Sequence, residues 1–189
     1  VADEAWTAII PFKPAGQRKR RLAGMLSPAR RDQLAETMFL HVVGVLEASP
    51  LIDRIVLLAA AAGVDWPHGW IADTGGGLNA ELSCARDRLG AARLIVIHAD
   101  LPFVTPADIA ALTAAAKSGC AIAPDRHQTG TNALALQDFP GFAFAFGDSS
   151  LARHRAAAGG RARIVTTRGL AHDIDTPADA AALTEGTGC

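Results

Sequence analysis

Cysteine is scarce in this chain and scattered. Cys84, Cys120 and Cys189 are the only three, and none forms a Cys-x-x-Cys pair. An odd, sparse set does not build a disulfide framework. Core or surface thiols in a reducing cytoplasm are the expectation that follows. Charge of one sign is also missing. Eighteen Lys and Arg stand against nineteen Asp and Glu, a net charge of -1. Without a global basic field there is no drive for non-specific nucleic-acid binding, so any polyanion site must be a local cluster. Long apolar runs are absent too. The longest candidate, residues 55–62, is too short to cross a bilayer, and no secretory leader is visible.

Several motifs are missing as well. GxxxxGK[ST] is absent, which excludes a P-loop, and no GxGxxG supports a dinucleotide fingerprint. There is no GxSxG nucleophile elbow. Neither HExxH nor a His/Cys ligand pair appears, which argues against zinc. No repeat period and no low-complexity linker divide the chain. At 189 residues, 50% hydrophobic and 20% charged, residues 1–189 are expected to form a single domain with a sizeable core.

What is present is organised around residues 93–102, Arg-Leu-Ile-Val-Ile-His-Ala-Asp-Leu-Pro. The branched apolar run suits a strand buried on both faces. Pro102 cannot donate to a ladder, so the strand should stop near Asp100. A carboxylate is left at the carboxyl end of a central strand, where open α/β sheets bind ligands. A second acidic cluster, Asp173 and Asp175 in Asp-Ile-Asp-Thr-Pro, lies far downstream. Brought together by folding, the two would make a hard-oxygen magnesium site.

The remaining elements alternate. Thr7 to Pro11 reads as a first buried strand. The loop that follows, 12–22, carries Lys13, Arg18, Lys19, Arg20 and Arg21. Its position after the first strand is that of a phosphate-binding loop. Ser27-Pro28 opens a helix whose face is Leu34, Met38, Val42, Val45 and Leu46, with His41 structural. The same start signal recurs at Thr105-Pro106 and Thr176-Pro177, each with an acid at the third helical position. Further strands are expected at 54–58, 70–73, 121–124 and 164–166. Gly75, Gly76, Gly77, Leu78 and Asn79 lead into a helix ending near Leu89. Three consecutive glycines fit either a plain turn or a close approach to a nucleotide. The loop 125–132 is rich in hydroxyl and amide donors, suited to an oxyanion or to an ordinary hairpin. Strict alternation over Phe142, Phe144 and Phe146 gives a half-buried strand, which with the edge strands would offer a second chain a pairing surface. Gly147 and Ser150 then open a helix whose N-terminus is an anion site. His154 on it is either an anion contact or a core residue. The last residues, to Cys189, are expected to fray.

Strands alternating with helices give an α/β fold with a mostly parallel sheet. Acids, a basic loop, a glycine loop and no evident base point to metal-assisted phosphoryl or nucleotidyl transfer. A phosphomonoester is mostly dianionic at neutral pH, its second pKa being about 6, so as nucleophile it needs no general base.

Together these stretches resemble the 2-phospho-L-lactate and phosphoenolpyruvate guanylyltransferases of deazaflavin coenzyme F-420 biosynthesis. The likeness rests on Pro11-Phe12-Lys13-Pro14 with Lys19-Arg20-Arg21-Leu22, on 75–79, on Ala99-Asp100-Leu101-Pro102, on Ala123-Pro124-Asp125, on 129–134, on Phe146-Gly147 with Ser150 and His154, and on 173–177. It implies a three-layer, Rossmann-like (GT-A-like) nucleotidyltransferase fold with a mixed sheet. GTP, Mg2+ and a three-carbon phospho-acid acceptor are implied with it: 2-phospho-L-lactate, phosphoenolpyruvate or 3-phosphoglycerate. In that light Asp100, Asp173 and Asp175 are the metal ligands. Lys13, Lys19 and Arg21, with Asp100, act on the triphosphate. Gly75, Gly76, Gly77, Leu78 and Asn79 lie near guanine or ribose, and Thr131, Gly147, Ser150 and His154 cradle the phospho-acid. A homodimer and a downstream transferase taking the product belong to the same expectation. Two residues depart from the family pattern: His98 stands where proline is usual, and Arg20 where a small hydroxyl residue is. A related molybdopterin-type or sugar-phosphate nucleotidyltransferase is the alternative, though the loop 13–22 lacks the Gly-x-Arg pattern of those enzymes. A non-catalytic nucleotide-binding module is a third.

Overall fold

The sheet that carries the fold has seven strands in the order β3-β2-β1-β4-β6-β5-β7. In chain order these are β1 (Trp6–Pro11), β2 (Ile52–Ala59), β3 (Gly69–Ala72), β4 (Arg93–Ile97), β5 (Cys120–Pro124), β6 (Thr131–Gln137) and β7 (Ala162–Ile164). The helices are α1 (Pro28–Glu47), α2 (Leu78–Leu89), α3 (Pro106–Ala115), α4 (Ser150–Ala158) and α5 (Arg168–Ala171). The computed structural model describes residues 5–63 and 65–179. The frayed C-terminus expected from sequence, Cys189 included, lies outside them.

β4 occupies the middle of the sheet, as its composition dictates. Successive side chains of a strand point to opposite faces. Ile95 and Ile97 therefore join the core under α1 and α3. Leu94 and Val96 join the core under α2 and α4. Helices thus cover both faces, a three-layer α/β arrangement. β1 does the same, with Ala8 and Ile10 on one side and Ile9 on the other. Each fully buried branched side chain contributes about 1.5–3 kcal/mol. Helix starts follow the expected punctuation. Ser27 caps α1, and Thr105 with Asp108 forms a reciprocal capping box on α3.

Only β6 runs against its neighbours. It pairs antiparallel with β4 and β5, while β1–β2, β1–β4, β2–β3 and β5–β7 are parallel. The consequence is spatial. The carboxyl ends of β1, β4 and β5 and the amino end of β6 meet at one edge. There the His98 amide donates to the Asn132 carbonyl (2.9 Å).

The alternating phenylalanines do not form a strand. Phe142, Phe144 and Phe146 are buried on the α2/α4 side of the sheet, so the alternation correctly marks one apolar face. The backbone, however, has no ladder partner. Side chains serve it instead: Asn79 accepts from the Phe146 amide (2.7 Å) and donates to its carbonyl (3.1 Å). Among the described residues no helix is long and apolar enough to cross a membrane. Cys84 is an exposed free thiol and Cys120 a buried one.

Candidate active site

Asp100, Asp173 and Asp175 converge, each offering a carboxylate oxygen within 4.8 Å of the others. Asp100 follows β4, while the other two follow α5. The two segments are stitched by the Ile174 amide donating to the Asp100 carbonyl (3.2 Å). Lys19 from the loop after β1 closes the group. Its Nζ is 2.6 Å from Asp100 Oδ2 and 3.0 Å from Asp175 Oδ1. Burial opposes the charge on both Lys19 and Asp100, but their mutual attraction prevails. Lys19 is held above its ordinary value and Asp100 below. Asp173 has no such cation. Burial first, then the neighbouring Asp100 charge, push it up. Asp100 Oδ1 is buried and has no hydrogen-bond partner. An unsatisfied buried carboxylate oxygen in an all-oxygen donor set is what a hard divalent cation would satisfy.

Each acid is held from behind. Asn132 Nδ2 donates to Asp173 Oδ1 (3.1 Å) and to the Leu170 carbonyl (3.0 Å). Asp179 Oδ2 accepts from the amides of Asp175 (2.9 Å) and Thr176 (2.7 Å), and Arg126 pairs with Asp179. Gly169 lets α5 sit against the start of α3, since a Cβ there would lie 2.2 Å from Asp108 Oδ2.

The basic loop is anchored by the first turns of α1. Asp32 accepts from the Gly16 amide (3.0 Å), and Arg31 Nη1 donates to the Arg18 carbonyl (3.4 Å). Arg18 lies over the Phe12 ring, 4.0 Å from its centroid, and its Nε donates to the Lys13 carbonyl (2.7 Å). Lys19 itself has left-handed backbone, φ 49°. Lys13 and Arg20 remain exposed. Arg21 is 73% exposed and 3.5 Å from Asp175, a pair of little energetic weight that leaves its guanidinium free.

The glycine loop wraps around Glu81. Glu81 Oε1 accepts from the Thr74 hydroxyl (2.6 Å) and from the amides of Thr74 (3.0 Å) and Gly76 (2.9 Å). Those bonds, the Thr74 hydroxyl first, hold its carboxyl below the usual range. Gly75 and Gly77 have φ of +88° and +89°, conformations open to glycine and costly for other residues. Asn79 is spent on Phe146, so its side chain is a clamp. Phe146 in turn lies 5.3 Å from the His98 ring. That contact joins the glycine loop, residues 145–147 and the end of β4 into one rim.

On the far side, Thr131, Gly147 and Ser150 gather around the N-terminus of α4. The Leu151 amide donates to the Thr129 carbonyl (3.1 Å). Asp125 shapes the 125–130 turn by accepting from the Thr129 amide (2.8 Å). His154 departs from its expected place as a substrate contact. It is fully buried, with Nδ1 3.0 Å from Thr131 Oγ1 and Nε2 accepting from the Ala145 amide (2.9 Å). As placed, the ring has no nitrogen left for an anion. Sequence reading quoted Asn132 and Asp125 without assigning their supporting roles, and it did not single out Glu81. Glu81 carried a faint signal as an acid in the first turn of α2. Asn132 stood inside a noted stretch without an evident task.

Known proteins similar to this chain point to one family. The family model described as "Guanylyl transferase CofC like" matches residues 6–185. A phosphoenolpyruvate guanylyltransferase of Sphaerobacter thermophilus is 41% identical, covering 91% of this chain and 89% of that protein. Another, of Chloroflexus aggregans, is 40% identical over 88% of this chain and 90% of its own. A 2-phospho-L-lactate guanylyltransferase of Halorubrum lacusprofundi is 35% identical, covering 93% and 82%. Among solved structures, a nucleotidyl transferase of Methanothermobacter superposes with a TM-score of 0.72 at 14% identity, covering 96% and 97%. That likeness bears on the fold alone.

Proposed function

Since this chain belongs to the CofC-like guanylyltransferases, we propose that it joins GMP from GTP to phosphoenolpyruvate and releases pyrophosphate. The observation that carries this reading is the cluster of Asp100, Asp173 and Asp175 beneath a loop bearing Lys13, Lys19 and Arg21. Phosphoenolpyruvate is preferred as acceptor because the relatives at 41% and 40% identity carry that name. 2-Phospho-L-lactate is the second candidate, on the relative at 35%.

The three aspartates fit Mg2+: their donors are all oxygen, and Asp100 Oδ1 is buried without a partner. When bound, magnesium supplies positive charge against the triphosphate oxygens and the departing pyrophosphate. Lys19, held between Asp100 and Asp175, and Arg21, largely exposed beside Asp175, would take the phosphate oxygens, and Lys13 extends the positive rim. The loop of Gly75, Gly76, Gly77, Leu78 and Asn79, stiffened by Glu81, walls the nucleoside. Thr131, Gly147 and Ser150 hold the phospho-acid so that a phosphate oxygen faces the α-phosphorus of GTP. A new P–O bond forms there, and the bond to the β-phosphate oxygen breaks. No residue need take a proton, because the nucleophile is already anionic at neutral pH. Positioning and charge neutralisation do the work. The product would pass to a downstream transferase of coenzyme F-420 synthesis in the cytoplasm.

Pyrophosphate release with GTP and Mg2+, run against phosphoenolpyruvate, 2-phospho-L-lactate and 3-phosphoglycerate, tests the reading. ATP and CTP are the controls. Acceptor-dependent release with GTP is expected. Preference for another nucleotide contradicts it.

A further inference from the structure

We infer that His154 is a positioning residue for the acceptor: it donates Nδ1–H to Thr131 Oγ1 and so turns the Thr131 hydroxyl proton toward an oxygen of the bound phospho-acid. The inference rests on the function proposed above.

The argument starts from the Ala145 amide. A backbone N–H can only donate, so the Nε2 that accepts it at 2.9 Å must carry a lone pair. A neutral imidazole with a lone pair on Nε2 has its proton on Nδ1. The 3.0 Å contact to Thr131 Oγ1 therefore has His154 as donor. An imidazolium would set an N–H against the Ala145 N–H. Burial first, then the charge of Arg153, keeps the ring neutral, with its pKa pushed down to about 4.

Thr131 Oγ1 consequently accepts and keeps its own proton. Thr131 is only 2% exposed, and among the described residues its hydroxyl donates to no protein acceptor. Buried hydroxyl protons find acceptors. Thr131 opens β6 opposite Pro124, beside the Asn132 that holds Asp173. The Thr131 side chain lies on the α4 side of the sheet with His154, and that of Asn132 on the α5 side, so the missing acceptor belongs on the α4 side of this end of the sheet, and an anionic oxygen is the strongest candidate there. The same ring fixes residue 145, two positions before Gly147. It also stands one helical turn beyond Ser150. One imidazole therefore sets the spacing of all three parts of the cradle.

Two measurements test this. The first is the nitrogen-15 spectrum of the His154 ring in the free enzyme. A pyrrole-like Nδ1 and a pyridine-like Nε2 are expected, and the reverse tautomer overturns the inference. The second is a kinetic cycle of Thr131→Val, His154→Asn and the double variant. Loss of a hydrogen bond to a charged group should raise the acceptor KM on the order of ten- to a hundredfold in Thr131→Val. The KM for GTP should stay put, and Thr131→Ser should recover most of the loss. If His154 acts through that hydroxyl, His154→Asn costs little more once Thr131 is valine. Additive losses, or equal losses toward GTP, overturn the inference. A wild type silent with every phospho-acid, its spectrum still giving the Nδ1–H form, overturns the proposed function instead.

Discussion

Lys19 Nζ lies 2.6 Å from Asp100 Oδ2, so a cation of the expected phosphate loop is also the counter-charge of the acidic cluster. The side chains are 7% and 22% exposed. Removing one partner of a largely buried pair leaves the other charged and unpaired, which is the costly outcome. Lys19→Met should therefore lower stability by about 2 kcal/mol, less than a fully dry pair would lose. Divalent cations should restore it, because they now meet the acids without a competing ammonium. Calorimetric titration with Mn2+ in the absence of nucleotide should give tighter binding than wild type, while turnover falls. Weaker Mn2+ binding would mean that Lys19 supports the site and does not compete for it.

Asp100→Asn tests the acids directly. The amide keeps the shape but surrenders the charge and the buried oxygen left without a partner. Metal-assisted charge stabilisation is worth several kcal/mol, so turnover should drop about a thousandfold or more. The melt should fall by less than in Lys19→Met, since Lys19 keeps Asp175 at 3.0 Å, and Mn2+ binding should be lost. Full Mg2+-dependent turnover in the folded variant would remove Asp100 from the metal site.

Most of this site could be found in the sequence, and the part that could not has a common cause. Asp100 was legible because an apolar run ending at Leu-Pro marks where a buried strand stops. Asp175 was legible because Thr176, Pro177 and Asp179 mark a helix start just after it. The basic loop was legible from its place after β1. The Phe142–Phe144–Phe146 alternation misled because periodicity reports which face is buried, not what bonds the backbone. Here Asn79 and His154 take the roles of ladder partners, from 67 and 9 residues away. Asn132 and Asp173 are 41 residues apart, and nothing local in either stretch announces the bond. First-rank residues left local signs at element ends. Their supports depend on long-range polar pairing, which leaves none.

Gly169 positions the second acidic segment by having no side chain. A Cβ there would lie 2.2 Å from Asp108 Oδ2 and 2.7 Å from the Phe103 carbonyl. Neither neighbour can yield cheaply, because Asp108 is bonded to Thr105 in the α3 capping box. Gly169→Ala should cost about 1–3 kcal/mol as overpacking. It should also weaken Mn2+ binding, since Asp173 follows α5 by two residues. Gly141→Ala is the control, for a Cβ there meets nothing within 4 Å, and its melt should move by less than about 0.5 kcal/mol. Equal melts for the two would show that α5 has room to shift.

The buried imidazole makes stability depend on pH in one direction. His154 titrates at about 4 in the folded protein against 6.5 in an open chain, burial being the larger cause and the nearby Arg153 charge the next. Between those values the unfolded chain binds a proton that the folded one does not. Stability therefore rises with pH through that window, is complete above about 6.5, and is lost as pH falls toward 4. Each pH unit inside the window is worth about 1.4 kcal/mol, so about 3 kcal/mol from this residue disappears by its lower end. Urea unfolding at pH 7.5 and 4.5 measures it. His154→Gln should be less stable than wild type at the higher pH, because the Ala145 amide and Thr131 hydroxyl lose well-placed partners. Across the acid step, however, it should lose about 2–3 kcal/mol less than wild type. Equal losses in the two proteins would mean that the ring is already protonated in the fold, and a protonated ring cannot accept from the Ala145 amide.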